Sequence, residues 1–230
     1  MGFLRRRRGG TPEVGEAGTV RVDGDVLAAA GAGPVGFGYK IAWLAIRTDD
    51  TRRAAQALGL SDVRAVSWAE GIDAAYAAYG ASGGRPLAFV TPVVDGWTLA
   101  VLGGGELLED DGNGVGAVDL PSMSRRFGEV QKYATHRVVE YQEWQRWVNG
   151  SAVRRYCWIG ESGEIRFDEG EPARAEGNLL RAADLDGDWG AFDLADEDTV
   201  MAVAAEWSID PTTLDERDDL PQHGLLGFVT

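Results

Sequence analysis

The segment that most constrains the fold is residues 87–102. Leu87-Ala-Phe-Val-Thr-Pro-Val-Val and Trp97-Thr-Leu-Ala-Val-Leu are two apolar runs separated only by Asp95-Gly96. A two-residue link of this kind is a type I′ hairpin turn, because both central residues take positive φ and Asp-Gly tolerates that. The chain therefore contains at least one antiparallel pair. Pro92 has no N–H to give to a ladder, so it is expected at an edge or a bulge.

Around the hairpin, an apolar run over 38–47 predicts a strand, and Asp49 or Asp50 then caps a helix over 51–58. Residues 63–68 predict a short strand. Residues 69–79 predict a helix in which Ile72, Ala75, Tyr76 and Tyr79 recur at helical spacing. Further on come a helix over 121–128 and a strand over 130–139. Tyr141, Trp144, Gln145 and Val148 also share helical spacing, so 141–148 is expected to be a helix closed by Asn149-Gly150. A second hairpin is expected from 152–159 and 165–168, and a last helix over 197–207. Strands and helices alternate at first and then segregate. This predicts a single α+β domain over 37–230, with a mixed or largely antiparallel sheet flanked by helices.

Residues 1–36 read as a flexible basic and glycine-rich arm, with a possible short hairpin about Asp23-Gly24. The run Arg5–Arg8 is followed by polar residues rather than the apolar stretch of a secretory signal. Position 6 is arginine where myristoylation requires serine or threonine. No run approaches 18 apolar residues, so no stable membrane association is expected. Residues 31–36 match the spacing G-x-G-x-x-G. The strand before it and the helix after it are missing, and Pro34 removes a donor, so the segment reads as a linker.

Charge is the second constraint. The net charge of −15 argues against nucleic acid as a partner, since phosphate binding needs clustered lysine and arginine. Residues 184–219 carry thirteen acidic side chains and one basic one, Arg217, for a local net of −12. Such a segment is either a solvated face or a docking surface for a basic protein. Trp144, Trp147, Trp189 and Trp207 lie in polar or acidic neighbourhoods. With Asp193, Asp196 and Asp198 they form the candidate partner-binding set, as aromatic residues among polar ones concentrate interface energy.

Chemistry leaves a weaker trace. A single cysteine, Cys157, excludes an intrachain disulfide and fits a reducing, cytoplasmic compartment, and two histidines leave little for zinc. His136 and Cys157 fall on neighbouring predicted strands and could pair, although alternation makes Cys157 a small core residue. The acidic loops at 109–114 and 184–189 each miss a position that an EF-hand requires. His136, Arg137, Arg154 and Tyr156 put cations beside aromatic rings, an alternative pocket for an anionic or planar ligand, with the glycine-rich 103–116 loop as its lid. No nucleophile, metal or phosphate motif stands out, so neither a catalytic residue nor a cofactor is assigned. The composition, heavy in Ala, Gly, Arg and Asp, suggests a bacterial source. The function expected is non-enzymatic binding of a basic protein, in the manner of an immunity protein that neutralises a toxin. The alternative is a small-molecule-binding domain or enzyme built on the His136 pocket.

Overall fold

The computed structural model describes residues 33–79, 85–104, 114–115 and 118–230. The arm expected over 1–36, apart from its last four residues, and the acidic loop at 109–114, apart from Gly114, lie outside them.

The Asp95-Gly96 hairpin forms as expected. Asp95 and Gly96 take φ values of 48° and 84°, and they join β3 (Leu87–Val94) to β4 (Trp97–Gly103). Pro92 sits where the β3–β4 register shifts between Val90 and Val93, so the missing N–H falls in a bulge. This pair lies inside a nine-stranded sheet. The other strands are β1 (Ala42–Ile46), β2 (Leu60–Ser67), β7 (Glu129–His136), β8 (Tyr141–Val148), β9 (Ser151–Ile159), β10 (Glu164–Gly170) and β11 (His223–Val229). Their order is β10-β9-β8-β7-β1-β4-β3-β11-β2, with every neighbouring pair antiparallel. A separate two-stranded ribbon joins β5 (Gly114–Val115) to β6 (Val118–Asp119). The fold is α+β.

Both faces of the large sheet are covered, which is why β1 and β4 read as unbroken apolar runs rather than alternating ones. On one face Trp43, Ala45, Leu99, Val101 and Tyr133 pack under α2 (Trp68–Tyr79) and α4 (Glu197–Trp207). On the opposite face Leu44, Ile46, Ala100, Leu102 and Val130 pack under α1 (Thr51–Ala57) and α3 (Leu120–Phe127). The helices start where capping chemistry places them: Asp50, Asp119 and Asp196 each accept a backbone N–H of the first turn.

Two elements differ from expectation. Residues 141–148 are a strand, not a helix. Gln142, Trp144 and Arg146 face α4, whereas Tyr141, Glu143, Gln145 and Trp147 face away, and most of them are buried. Because both faces carry polar side chains, no period-2 hydrophobic signal marks the strand. Asn149 and Gly150, with φ of 49° and 90°, form a hairpin turn to β9 and not a helix end. β11, between β2 and β3, was not anticipated. Its Gly224 lies against the Phe89 ring and the Val90 carbonyl, so a side chain there would collide with the neighbouring strand.

Candidate functional site

Residues 173–181, which lead into the acidic segment, are laid over the α4 side of β8–β10 and are pinned there by one buried charge cluster. Arg154, on β9, is fully buried. Its Nε and Nη2 donate to the two carboxylate oxygens of Glu176 at 2.9 and 2.6 Å, and Nη1 reaches Asp168 at 2.6 Å. Arg181 Nη1 adds 2.6 Å to Glu176, and Trp144 Nε1 donates to the same carboxylate at 3.0 Å. Burial pushes the Glu176 carboxyl up, but the bonds from Arg154 and Arg181 outweigh it and hold it below the usual glutamate range. The Tyr156 hydroxyl donates to the Leu180 carbonyl at 2.8 Å, a further tie between sheet and overlying segment.

This cluster relocates several expected site residues. Trp144 is fully buried beneath Glu176, and Trp147 is buried on the opposite face with its indole N–H on Gln145. Neither reaches a partner; their polar neighbours are interior hydrogen-bonding groups. Trp207 is half-buried against Tyr133. Trp189 is at the surface, edge-on to Trp158, with the exposed Leu194 in the same segment. Asp193, Asp196 and Asp198 are exposed. Asp196 caps α4, and Asp198 accepts the Tyr39 hydroxyl at 3.3 Å.

The alternative pocket is dispersed. His136 and Arg137 lie at the far end of β7, while Arg154 and Tyr156 belong to the Glu176 cluster, with their polar groups already satisfied. β8 runs between β7 and β9, so His136 and Cys157 are not on neighbouring strands. The Cys157 thiol is buried, and burial, reinforced by the nearby Glu143, pushes it up to about 12, the opposite of an activated nucleophile. Beside it, Lys132 Nζ lies 2.8 Å from Glu143, both fully buried, and the Tyr141 hydroxyl donates to the same carboxylate at 2.6 Å.

Two features were not legible in the sequence. The first is a pair of adjoining clefts where residues 33–37 lie along the acidic segment. One, of about 350 Å³, is lined by residues that include Pro34, Tyr39, Tyr76 and Asp215. The next, of about 390 Å³, shares Pro34 and Asp215 and adds Glu216, Arg217 and Asp218. Arg217 turns its guanidinium onto Asp95 and Asp219, at 2.8 and 2.7 Å, and leaves Asp215, Glu216 and Asp218 with no ion pair among the described residues. Across the acidic segment, ten of the thirteen carboxylates are exposed. Only Glu197 and Asp219 of the thirteen are in ion pairs among the described residues.

The second feature is a set of unpaired polar atoms. Residues 35–40 run between α2 and α4: Phe37 packs edge-on to Trp43 and its N–H donates to Pro211, while Tyr76 bonds to Gly38 and Tyr39. Five buried atoms of the described residues have no hydrogen-bond partner: Trp43 Nε1, Tyr79 Oη, His136 Nδ1, Gln142 Oε1 and Glu197 Oε1. Each such atom costs about 1–3 kcal/mol.

No group of three or more His, Cys, Asp or Glu among the described residues is placed to hold a metal. No helix among them is long and apolar enough to cross a membrane. Comparison with protein-family models, curated proteins and solved structures gives no match.

Proposed function

We propose that this protein is a non-enzymatic binding module whose acidic surface captures a basic protein partner. The observation that carries the reading is the pair of adjoining clefts edged by the unneutralised carboxylates of Asp215, Glu216 and Asp218. Each cleft has the volume to receive a lysine or arginine side chain, and the bordering Tyr39 connects it to Asp198. Burial, Asp198, Asp210 and Glu197 together push the Tyr39 hydroxyl above its ordinary value, as a locally negative field does. Trp189 and Leu194 supply apolar contact elsewhere on the same segment, among Asp188 and Asp193.

Exposed carboxylates speed and orient association with a basic protein more than they deepen affinity. That suits a protein that must intercept a harmful basic enzyme quickly. Immunity-type neutralisation of a toxin, in a bacterial cytoplasm, is the concrete form of the proposal. The test is native mass spectrometry of the tagged full chain drawn from its own host at rising salt. A stoichiometric basic protein that is lost as salt rises supports the reading. A chain that emerges alone, or with an acidic protein insensitive to salt, overturns it.

A further inference from the structure

The two clefts at residues 33–37 differ in their walls, and the difference separates one kind of basic side chain from another. The first is walled by Pro34, Phe37, Tyr39 and Tyr76, and its lining carries a single carboxylate, Asp215. These walls are held in place. The Phe37 N–H donates to the Pro211 carbonyl at 3.1 Å, and the Tyr76 hydroxyl donates to the Tyr39 carbonyl at 2.8 Å. Tyr39 is exposed, with its hydroxyl donating to Asp198 at 3.3 Å. Gly36 also lines this cleft, and a Cβ there would stand 2.8 Å from the Thr212 carbonyl oxygen and 3.5 Å from Asp215 Oδ1. The Asp215 carboxylate therefore lies against the bare Gly36 backbone, and it makes no ion pair among the described residues.

The second cleft shares Pro34 and Asp215 with the first, but no aromatic residue lines it. Asp215, Glu216 and Asp218 give it three carboxylates. Its one cation, Arg217, is already turned onto Asp95 and Asp219. A guanidinium is planar, delocalised and weakly hydrated, so it lies against aromatic rings and meets a single carboxylate with two N–H groups at once. An ammonium is a compact, strongly hydrated charge that gains more from several carboxylates around it. The first lining fits the guanidinium and the second fits the ammonium. Because the clefts share a wall, one stretch of chain can fill both. Side chains two residues apart in an extended segment project to the same side, about 6.6 Å apart, whereas immediate neighbours project to opposite sides.

We infer that the paired clefts read an arginine and a lysine two residues apart on an extended segment of the basic partner, the arginine between Tyr39, Tyr76 and Asp215 and the lysine beside Glu216 and Asp218. This rests on the reading of the acidic surface as a binding module, and it adds the chemistry that the partner presents.

Calorimetric titration of the full chain at low salt tests it, with the peptide acetyl-Gly-Arg-Ala-Lys-Gly-amide and its counterpart in which the arginine and lysine are exchanged. One of the two orders is expected to bind saturably. Replacing the arginine of that peptide by lysine is expected to weaken binding about three- to tenfold, the loss of a guanidinium stacked on an aromatic ring. Tyr39→Leu is expected to shrink that difference to less than about twofold. Glu216→Gln/Asp218→Asn, which changes only exposed and unpaired side chains, is expected to keep the arginine preference and to bind the peptide no better than its lysine-to-alanine form. No heat from either peptide at millimolar concentration overturns the inference. So does equal binding of the arginine–lysine and lysine–lysine peptides by the wild type, or an arginine preference undiminished in Tyr39→Leu. The two levels fail separately. A salt-sensitive basic protein captured by a chain that shows no peptide preference overturns the two-cleft assignment alone. The absence of any captured basic protein overturns the function itself.

Discussion

The two halves of the sheet are built on different principles. In β3, β4 and β11 the interior is aliphatic and aromatic: Phe89, Val90, Leu99, Ala100, Val101 and Leu102 are all buried, with α2 on one side and α1 on the other. In β7–β9 the interior is half polar. Nine of the fourteen buried polar or charged side chains among the described residues lie on those three strands. Burial in the first half is non-directional and tolerant of repacking. In the second, Lys132–Glu143 on one face and Arg154–Glu176 on the other are directional, and each leaves an uncompensated charge if one partner is lost. The apolar half supplies stability. The polar half also fixes where residues 173–181 sit, whereas the clefts border α2 and, through Arg217, the Asp95 turn of the apolar half.

The largest effect that could break this contrast is at Arg154. Arg154→Met is expected to destabilise the protein by about 3–5 kcal/mol, since Glu176 stays buried without its main partner. Leu99→Ala, in the apolar half, should cost a comparable sum of about 2–5 kcal/mol through a cavity instead. Urea unfolding measures both. A further readout separates the mechanisms: only the Arg154 variant should loosen the chain that Glu176 anchors, seen as faster amide exchange over 173–195. Equal exchange there in both variants would remove the pinning role.

Smaller effects compare the two hairpin turns. Gly96, with φ of 84°, has open space where a side chain would go, so Gly96→Ala meets only the positive-φ strain, about 1–2 kcal/mol. Gly150, with φ of 90°, would also meet Arg125, so Gly150→Ala should lower Tm further. The reverse order would mean that the polar half adapts more readily than its buried pairs imply.

Acid sharpens the contrast further. The Glu176 carboxyl is held below its ordinary value of 4.5, so its contribution is complete above that pH and is lost as pH falls below it. Wild-type stability is therefore expected to decline below about pH 4.5 more steeply than that of Glu176→Gln. Parallel pH curves would show that the cluster is not charged as described. The smallest effect is chemical. Cys157 should resist thiol reagents in the native protein at neutral pH and react fully once unfolded, because its thiol is buried and held protonated. Prompt native labelling would mean that the polar half opens readily.

The same contrast explains what the sequence could and could not tell. The apolar half was readable: Asp95-Gly96 set the hairpin, Pro92 located the bulge and helical periodicity placed α2. In the polar half Tyr141–Val148 passed for a helix, because Tyr141, Trp144, Gln145 and Val148 satisfy a helical spacing while both strand faces carry polar groups. Asn149-Gly150 was the signal that could have corrected it, as the same type of turn pair as Asp95-Gly96. β11 was hidden because its two glycines, required by close neighbouring strands, dilute its apolar character. The excess of acidic residues was visible as composition. The clefts were not, since they arise from residues 33–37 meeting 215–222 across the whole chain. The unpaired buried atoms were likewise invisible, because pairing is a property of tertiary contact.

The central claim is that the carboxylates at the clefts guide a basic partner in. The direct measurement is the association rate of the captured partner against ionic strength, for the wild type and for Asp215→Asn/Glu216→Gln/Asp218→Asn. None of these three side chains makes an ion pair among the described residues, so the variant should keep its fold. The account predicts that the wild-type rate falls steeply with salt, and that the variant associates about ten- to a hundredfold more slowly at low salt with a flatter dependence. Superimposable salt curves for the two proteins would contradict it.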